Sequence, residues 1–211
     1  MMLGKLLPSP VVWCETFDDP ADVELFPEEA LLIEKSVDKR RREFTTARWC
    51  ARQAFAELGV PAAPVLPGLH GAPRWPASIV GSITHCAGYR AVALARTAEV
   101  AALGLDAEPN GPLPEGVLAS IALPEEQAWI RRSLMADPSV RWDRLLFSMK
   151  ESVYKTWYPL TGTRLEFEDA LITADRAGEF TARLLIPSGP VLRGNWLAAE
   201  GLLVTAITLA A

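Results

Sequence analysis

The length and composition of the sequence are those of an ordinary globular protein. Its 211 residues are half hydrophobic and 22% charged, which provides the core of one large domain or of two smaller lobes. The net charge of −5 disfavours recognition of nucleic acid through general positive charge, so any anion site must be a local basic cluster. Three cysteines without a C-x-x-C pair predict neither a disulfide framework nor a zinc site.

The N-terminal residues do not have the pattern of an export signal. Lys5 precedes a short apolar run that Pro8 and Pro10 interrupt, and no stretch reaches the roughly 18 apolar residues of a membrane span. We therefore expect a cytoplasmic protein with no membrane partner.

Helical and strand-like patterns alternate along the chain. The predicted strands are residues 11–13, two within 81–95, then 100–108, 165–172, 180–186 and 202–209. The predicted helices are residues 27–58, with a break allowed, then 124–135 and 141–157. Residues 60–78 and 110–124 are rich in proline and glycine and are predicted to be connectors. The last three strands are expected to form a small antiparallel sheet behind the helix at 141–157.

The helix at 141–157 has two different sides. Its tryptophan, leucine, methionine and valine residues recur at helical spacing, which predicts a buried face. Glu151 and Lys155 project from the opposite side. On helix statistics alone, an exposed ion pair is the favoured interpretation, and a functional site requires partners elsewhere in the chain.

A basic run at residues 39–42 is a candidate anion site. Arg41, Arg48 and Arg52 nearly superpose in helical projection, and their guanidinium groups could hold phosphate oxygens or form a solvated charged face. His85 is predicted at the end of a strand, where a structural role and a functional role both remain open.

Two carboxylates close the strand at 100–108. Asp106 and Glu108 are two residues apart and share one face, roughly 7 Å from each other by strand rise. They could hold Mg²⁺, which takes one or two carboxylates with waters and substrate phosphates. Two exposed acids at a strand end are the alternative.

Combined motifs give the sequence a family resemblance. LGLDAE at 103–108, followed by FSMKESVYK at 147–155, resembles the paired signature of the surfactin-type and enterobactin-type 4′-phosphopantetheinyl transferases. The KRRREF run at 39–44, GSITHCAGY at 81–89 and WYPL at 157–160 are also similar. The resemblance extends over roughly residues 28–172, and it is greatest to actinobacterial members.

The resemblance implies a fold and a reaction. The fold would be α+β, with two similar lobes at 1–104 and 105–211 forming an intramolecular pseudo-dimer, so that a monomer suffices. The enzyme would transfer the 4′-phosphopantetheine arm of coenzyme A to a serine of apo acyl or peptidyl carrier proteins, releasing adenosine 3′,5′-bisphosphate. Such proteins serve polyketide and nonribosomal peptide synthesis, and Mg²⁺ would be the cofactor.

The resemblance also implies site residues. Glu151 and Lys155 would be catalytic, and the expected metal ligands are Asp106, Glu108 and Glu151. Coenzyme A would contact Arg40, Arg48, Thr84, His85, Asp106, Lys150 and Lys155. The family often carries a lysine in the connector before the histidine segment, and this chain has none there, so His70 or Arg74 would replace that contact.

Two other functions fit part of the pattern. A Mg²⁺-dependent nuclease also uses clustered carboxylates and a lysine, but it needs a basic groove that the acidic balance disfavours. A non-catalytic coenzyme A-binding module is the second, and the retention of both carboxylates with Glu151 and Lys155 argues against it.

Overall fold

A computed structural model describes all 211 residues and has the expected mixture of helices and sheets. The helices are α1 Pro27–Ile33, α2 Asp38–Glu57, α3 Val117–Ile121, α4 Pro124–Ala136 and α5 Trp142–Thr161. The strands are β1 Val12–Thr16, β2 Leu66–Pro67, β3 Pro73–Arg74, β4 Ile79–Cys86, β5 Tyr89–Arg96, β6 Val100–Pro109, β7 Ala170–Ala174, β8 Glu179–Leu184, β9 Val191–Ala199 and β10 Leu202–Ala210. None of the helices has the length and apolarity that a membrane crossing requires.

Two antiparallel sheets organise the chain. One has the strand order β1-β5-β4, and the other has the order β6-β10-β9-β8-β7. A two-stranded ribbon of β2 and β3 lies in the connector. The long helix α2 packs on the first sheet around Cys50, Ala54 and Phe55, whereas α5 packs on the second around Leu145, Met149 and other apolar side chains. The fold class is therefore α+β, as predicted.

Side-chain hydroxyls join the two sheets. Ser82 and Thr84 on β4 accept hydrogen bonds from the backbone N–H groups of Leu105 (3.0 Å) and Ala107 (2.9 Å) on β6. These bonds provide acceptors for two backbone N–H groups on the edge of β6 that does not pair with β10. The seam places the end of β4 directly beside the carboxylates of β6.

A glycine allows α5 to approach β6 very closely. A Cβ atom at Gly104 would lie 2.1 Å from the Ser152 carbonyl oxygen and 2.2 Å from Thr156 Oγ1. Ser152 and Thr156 are fully buried. The flank of α5 that carries Ser152 and Thr156, next to its apolar face, is thus packed against β6 at this level. This contact brings Glu151 and Lys155 into the same cavity as Asp106.

The structure differs from the predicted elements in several places, and the strand predicted at 165–172 begins only at Ala170. Residues 117–121 form the short helix α3 inside the predicted loop, and β2 pairs with β3 inside the predicted connector. The helix α5 continues beyond Pro159 to Thr161, where Gly162 ends it with a φ of +69°. Strand β9 was not predicted, because Arg193, Gly194 and Asn195 conceal its alternation.

The lack of a side chain at Gly194 explains the irregular sequence of β9. A Cβ atom at Gly194 would lie 2.4 Å from the ring of Phe180 on the neighbouring strand β8, so this ring fills the space that a larger residue would need.

The predicted division between residues 104 and 105 falls inside the continuous strand β6. The assignment of two lobes at 1–104 and 105–211 therefore stays a prediction.

Candidate active site

A cavity of about 620 Å³ lies between α2, the connector, β4, β6 and α5. Most of the predicted site residues contribute to its wall, although they come from separate parts of the chain. These residues are Arg40, Arg48, His70, Thr84, His85, Asp106, Glu151 and Lys155. The seam between β4 and β6 and the close packing of α5 bring them together.

The acidic centre of the cavity is built on Asp106. Its Oδ1 atom accepts a hydrogen bond from Lys155 Nζ at 2.7 Å, and the same ammonium donates to the Leu105 carbonyl at 3.2 Å. Asp106 is only 5% exposed, and its Oδ2 atom is buried without a hydrogen-bond partner. An unpartnered buried carboxylate oxygen is a costly arrangement unless a ligand or cation completes it.

Two further carboxylates lie in the electrostatic field of Asp106. Burial raises the pKa of Glu151, with Lys155 opposing the shift and Asp106 adding to it. Burial and Asp106 likewise raise the pKa of Glu108, although Arg144 opposes this shift. Both directions follow from negative groups that share a partly desolvated region.

The predicted trio of metal ligands is not assembled as one cluster. Glu108 Oε2 accepts a hydrogen bond from Arg144 Nη1 at 3.1 Å, and Asp106 is paired with Lys155. No group of three or more histidine, cysteine, aspartate or glutamate side chains has the arrangement of a metal site. Each of these two carboxylates instead forms an ion pair with a basic side chain.

The donor set nevertheless suits a hard divalent cation. Asp106 Oδ2 is a free carboxylate oxygen, and Glu151 shares its field. Magnesium and similar ions prefer carboxylate oxygens and keep waters or substrate oxygens in their remaining positions. A cation at this point would satisfy the unpartnered oxygen and reduce the repulsion among the carboxylates.

A second part of the cavity wall is basic. The Arg48 guanidinium lies 3.9 Å from the centre of the Phe44 ring, and its Nε atom is 3.5 Å from Glu29 Oε1. The pKa of Arg48 is lowered to about 10, chiefly by burial. Glu29 opposes this shift, whereas Arg40 and Arg52 add to it. Arg48 therefore stays charged at neutral pH, and a phosphate group would find a partly desolvated guanidinium there.

His85 connects this basic wall to β4. Its Nε2 atom lies 3.1 Å from Arg40 Nη1 and its Nδ1 atom lies 3.6 Å from Glu43 Oε2. A guanidinium can only donate, so Nε2 is the acceptor and the neutral ring carries its hydrogen on Nδ1, toward Glu43. Burial lowers the pKa of His85, and Arg40, Lys155 and Arg90 act in the same direction against Glu43.

Arg40, and not Arg41, is the arginine of the 39–42 run that lines the cavity. Arg41 lies at the helix start and donates to the carbonyls of Glu34 and Ser36, which close the turn after α1. Helical projection alone indicated Arg41 as the neighbour of Arg48, whereas the family resemblance indicated Arg40.

Two predicted coenzyme A contacts lie away from the cavity wall. Lys150 is 3% exposed, and its ammonium pairs with Glu126 Oε2 and donates to the Phe167 carbonyl, at 2.8 and 2.7 Å. Arg74 lies exposed on β3 and is not part of the wall. His70 does line the cavity, and its ring meets that of Tyr158 edge to face at 5.5 Å between centroids.

Two tyrosines in the cavity wall were not predicted. Tyr154 and Tyr158 stack with an interplanar angle of 8° and a centroid distance of 5.6 Å. They follow Glu151 by three and seven residues, so they share its helix face. That spacing was the available signal, but tyrosine on a helix is more often a packing residue than a site residue.

Comparison with known proteins shows the family of the chain. Residues 28–95 match the 4′-phosphopantetheinyl transferase N-terminal domain, and residues 102–202 match the 4′-phosphopantetheinyl transferase superfamily. The chain belongs to the 4′-phosphopantetheinyl transferase superfamily. It is 53% identical over its whole length to the 4′-phosphopantetheinyl transferase Svp of Streptomyces mobaraensis, of which it covers 90%.

Two other actinobacterial transferases are similar over almost their whole length. Identity is 46% to PptT of Mycobacterium tuberculosis, over 99% of this chain and 98% of that protein. Identity is 45% to Npt of Nocardia iowensis, over 99% of this chain and 100% of that protein. As a 4′-phosphopantetheinyl transferase, the protein is an enzyme that transfers phosphopantetheine from coenzyme A to carrier proteins.

Proposed function

We propose that the 620 Å³ cavity is the site of this transfer and that Mg²⁺ takes part in it. The observation that carries the proposal is the meeting of an acid-lysine centre, at Asp106, Glu151 and Lys155, with a basic wall in one cavity. Coenzyme A has a pyrophosphate and a separate 3′-phosphate, so its binding site must offset negative charge at two places.

The basic wall would hold the nucleotide end of coenzyme A. Arg40, Arg48 and His85 offer guanidinium and imidazole donors to the 3′-phosphate. The Thr84 hydroxyl oxygen already accepts the Ala107 N–H, but its own hydrogen can still be donated. His70 lines the cavity and is exposed, and it would take the place of the connector lysine of other family members.

Asp106 and Glu151 would hold Mg²⁺, with Glu108 as a further ligand after it leaves Arg144. The cation would offset charge on the pyrophosphate oxygens and on the group that departs. Arg144 would then lose its contact with Glu108 but would keep its hydrogen bonds to the carbonyls of Gly111 and Pro112.

In the transfer, the serine oxygen of the carrier forms a bond to the phosphorus next to the pantetheine arm, and the bond from that phosphorus to the bridging pyrophosphate oxygen breaks. Glu151 would take the proton of the serine hydroxyl, directly or through a water. Its pKa is raised by burial, which brings a carboxylate closer to neutral pH and makes it a better base. Lys155 would offset charge on the departing adenosine 3′,5′-bisphosphate.

Acyl and peptidyl carrier proteins of polyketide and nonribosomal peptide synthesis would be the acceptors. The segment at 110–124 is the proposed docking element, because it lies between the β6 carboxylates and α4 in the chain and is fixed at its start. Asn110 donates to the Ser139 carbonyl and accepts the Arg141 N–H, both at 2.8 Å. The enzyme would act as a monomer, since one chain supplies every wall of the cavity. We expect it in the cytoplasm, and its net charge of −5 disfavours nucleic acid as a partner.

Intact-mass measurement of an apo carrier tests this function. We expect the mass of one phosphopantetheine to be added only when the enzyme, coenzyme A and Mg²⁺ are all present. Binding of coenzyme A without addition to several carrier types would support the non-catalytic module. Cleavage of DNA without dependence on coenzyme A would support the nuclease.

A further inference from the structure

Glu29 is a buried carboxylate that lies outside the cavity but contacts one of its walls. It is 1% exposed, although it stands in the first turn of α1. Its Oε2 atom accepts the Phe26 N–H at 3.2 Å and pairs with Arg52 at 2.8 Å, and its Oε1 atom accepts the Val65 N–H at 2.8 Å. This single side chain therefore ties α1 and the connector to α2.

The remaining neighbour of Glu29 is Arg48. Glu29 Oε1 lies 3.5 Å from Arg48 Nε, an atom that is buried and has no hydrogen-bond partner. Arg48 is 8% exposed, lines the cavity and covers the Phe44 ring. The other charged groups near Arg48 include Arg40 and Arg52, and both repel its guanidinium.

We propose that Glu29 is the positioning residue for Arg48, holding its guanidinium on the Phe44 ring so that the 3′-phosphate of coenzyme A meets a fixed cation. This inference rests on the proposed function, in which Arg48 binds that phosphate. Without the carboxylate, a buried guanidinium between two like charges would move toward water. The enzyme would then have to return it to the wall each time it binds coenzyme A, and affinity would fall.

The chain contains a matched buried glutamate in its second half. Glu126 is also 1% exposed and stands in the first turn of α4, where it accepts the Leu123 N–H at 2.8 Å. It accepts the Ile172 N–H at 2.7 Å and pairs with Lys150 at 2.8 Å. Lys150 does not line the 620 Å³ cavity, so Glu126 shares the burial, cap and ion pair of Glu29 but not its neighbour in the cavity wall.

The experiment compares coenzyme A with 3′-dephospho-coenzyme A as substrates for Glu29→Gln, Glu126→Gln and the unaltered enzyme. For Glu29→Gln we expect the KM for coenzyme A to rise about tenfold while kcat stays within about twofold. The KM for the dephospho substrate should hardly change, so the preference for the 3′-phosphate falls about tenfold. Glu126→Gln should lower the melting temperature but keep that preference.

An unchanged preference in folded Glu29→Gln, or an equal loss with both substrates, would overturn the inference. If Glu29→Gln does not fold, Glu29→Asp retains the charge but withdraws it from Arg48, and the same selective loss is expected in smaller measure. The inference fails if Glu29→Asp retains the preference or if the unaltered enzyme has none. The proposed function fails separately, when the unaltered enzyme adds no phosphopantetheine to a carrier.

Discussion

Lys155 and Asp106 form the shortest ion pair of the cavity, at 2.7 Å from Nζ to Oδ1, and this contact joins α5 to β6. The pair leaves Asp106 Oδ2 buried and without a partner. The ammonium and the unpartnered oxygen thus stand side by side, where one can offset phosphate charge and the other can hold a cation.

Removing either member of this pair should suppress transfer. We expect Asp106→Asn and Lys155→Met each to lower kcat/KM by about 100-fold or more, because in the proposed mechanism each removes a charge that would act at the reacting phosphate. The double variant should lose less than the product of the two single losses, since the residues are in direct contact. Carrier mass spectrometry over time measures all three, and strictly multiplicative losses would show that the two side chains act independently.

The proposed cation site can be tested without measuring activity. The paramagnetic resonance signal of free Mn²⁺ should fall when the enzyme and coenzyme A are added, because Mn²⁺ accepts the same oxygen ligands as Mg²⁺. Asp106→Asn should weaken this binding by about tenfold or more. Glu115→Gln removes an exposed carboxylate and serves as the control. Equal Mn²⁺ affinity in the two variants would remove Asp106 from the ligand set.

Gly104 should be essential for the close approach of α5 to β6. Gly104→Ala would place a methyl group within 2.2 Å of Ser152 and Thr156 atoms, which forces the helix to move. We expect a loss of about 1–3 kcal/mol in the free energy of unfolding, measured in urea, together with reduced transfer. Gly111→Ala has no atom within 4 Å of its new methyl group, so its unfolding free energy should stay within about 0.5 kcal/mol of the unaltered enzyme. Similar losses in both variants would contradict the packing argument.

His85 should make the fold less stable in weak acid. Burial lowers its pKa in the folded protein, and Arg40, Lys155 and Arg90 add to this against Glu43. The unfolded chain, with a histidine pKa of about 6.5, therefore binds a proton before the folded protein does. Stability is fully present above that value and falls as the pH decreases from it toward the lower pKa of the folded state.

The test compares unfolding free energies at pH 7.5 and pH 5.5. His85→Gln should lose less stability between these two values than the unaltered enzyme loses. His70→Gln, which removes the exposed histidine of the connector, controls for the loss of a histidine as such. An identical pH slope in the His85 variant and the unaltered enzyme would exclude His85 as the cause.

Exchanging part of the 110–124 segment should change carrier recognition. Residues 114–120 can be replaced while Asn110 and Ile121 are retained, because Asn110 anchors the segment and Ile121 is buried. We expect the KM for the carrier to rise at least severalfold, whereas the KM for coenzyme A stays the same. If both values stay the same, the docking assignment is wrong, and a rise only for coenzyme A would place the segment at the cavity instead.

Much of the fold could be predicted from local patterns. The proline at Pro27 and the glycine at Gly59 marked the ends of the α1–α2 region, and the apolar stripe of α5 indicated which face is buried. Strand β9 could not be predicted in the same way. Its Gly194 is required by the Phe180 ring on the neighbouring strand, and no periodicity within residues 191–199 records that contact.

The sequence by itself indicated most of the chemical groups of the proposed site and, through its combined motifs, the family. It could not determine which of them meet. Helical projection paired Arg41 with Arg48. In the structure Arg41 instead donates to the Ser36 carbonyl in the turn after α1, and Arg40 donates to His85. Only the tertiary structure placed Lys155 on Asp106, turned Lys150 to Glu126 and set Glu29 behind Arg48, because these contacts join residues 19 to 49 positions apart and depend on how the helices pack on the sheets.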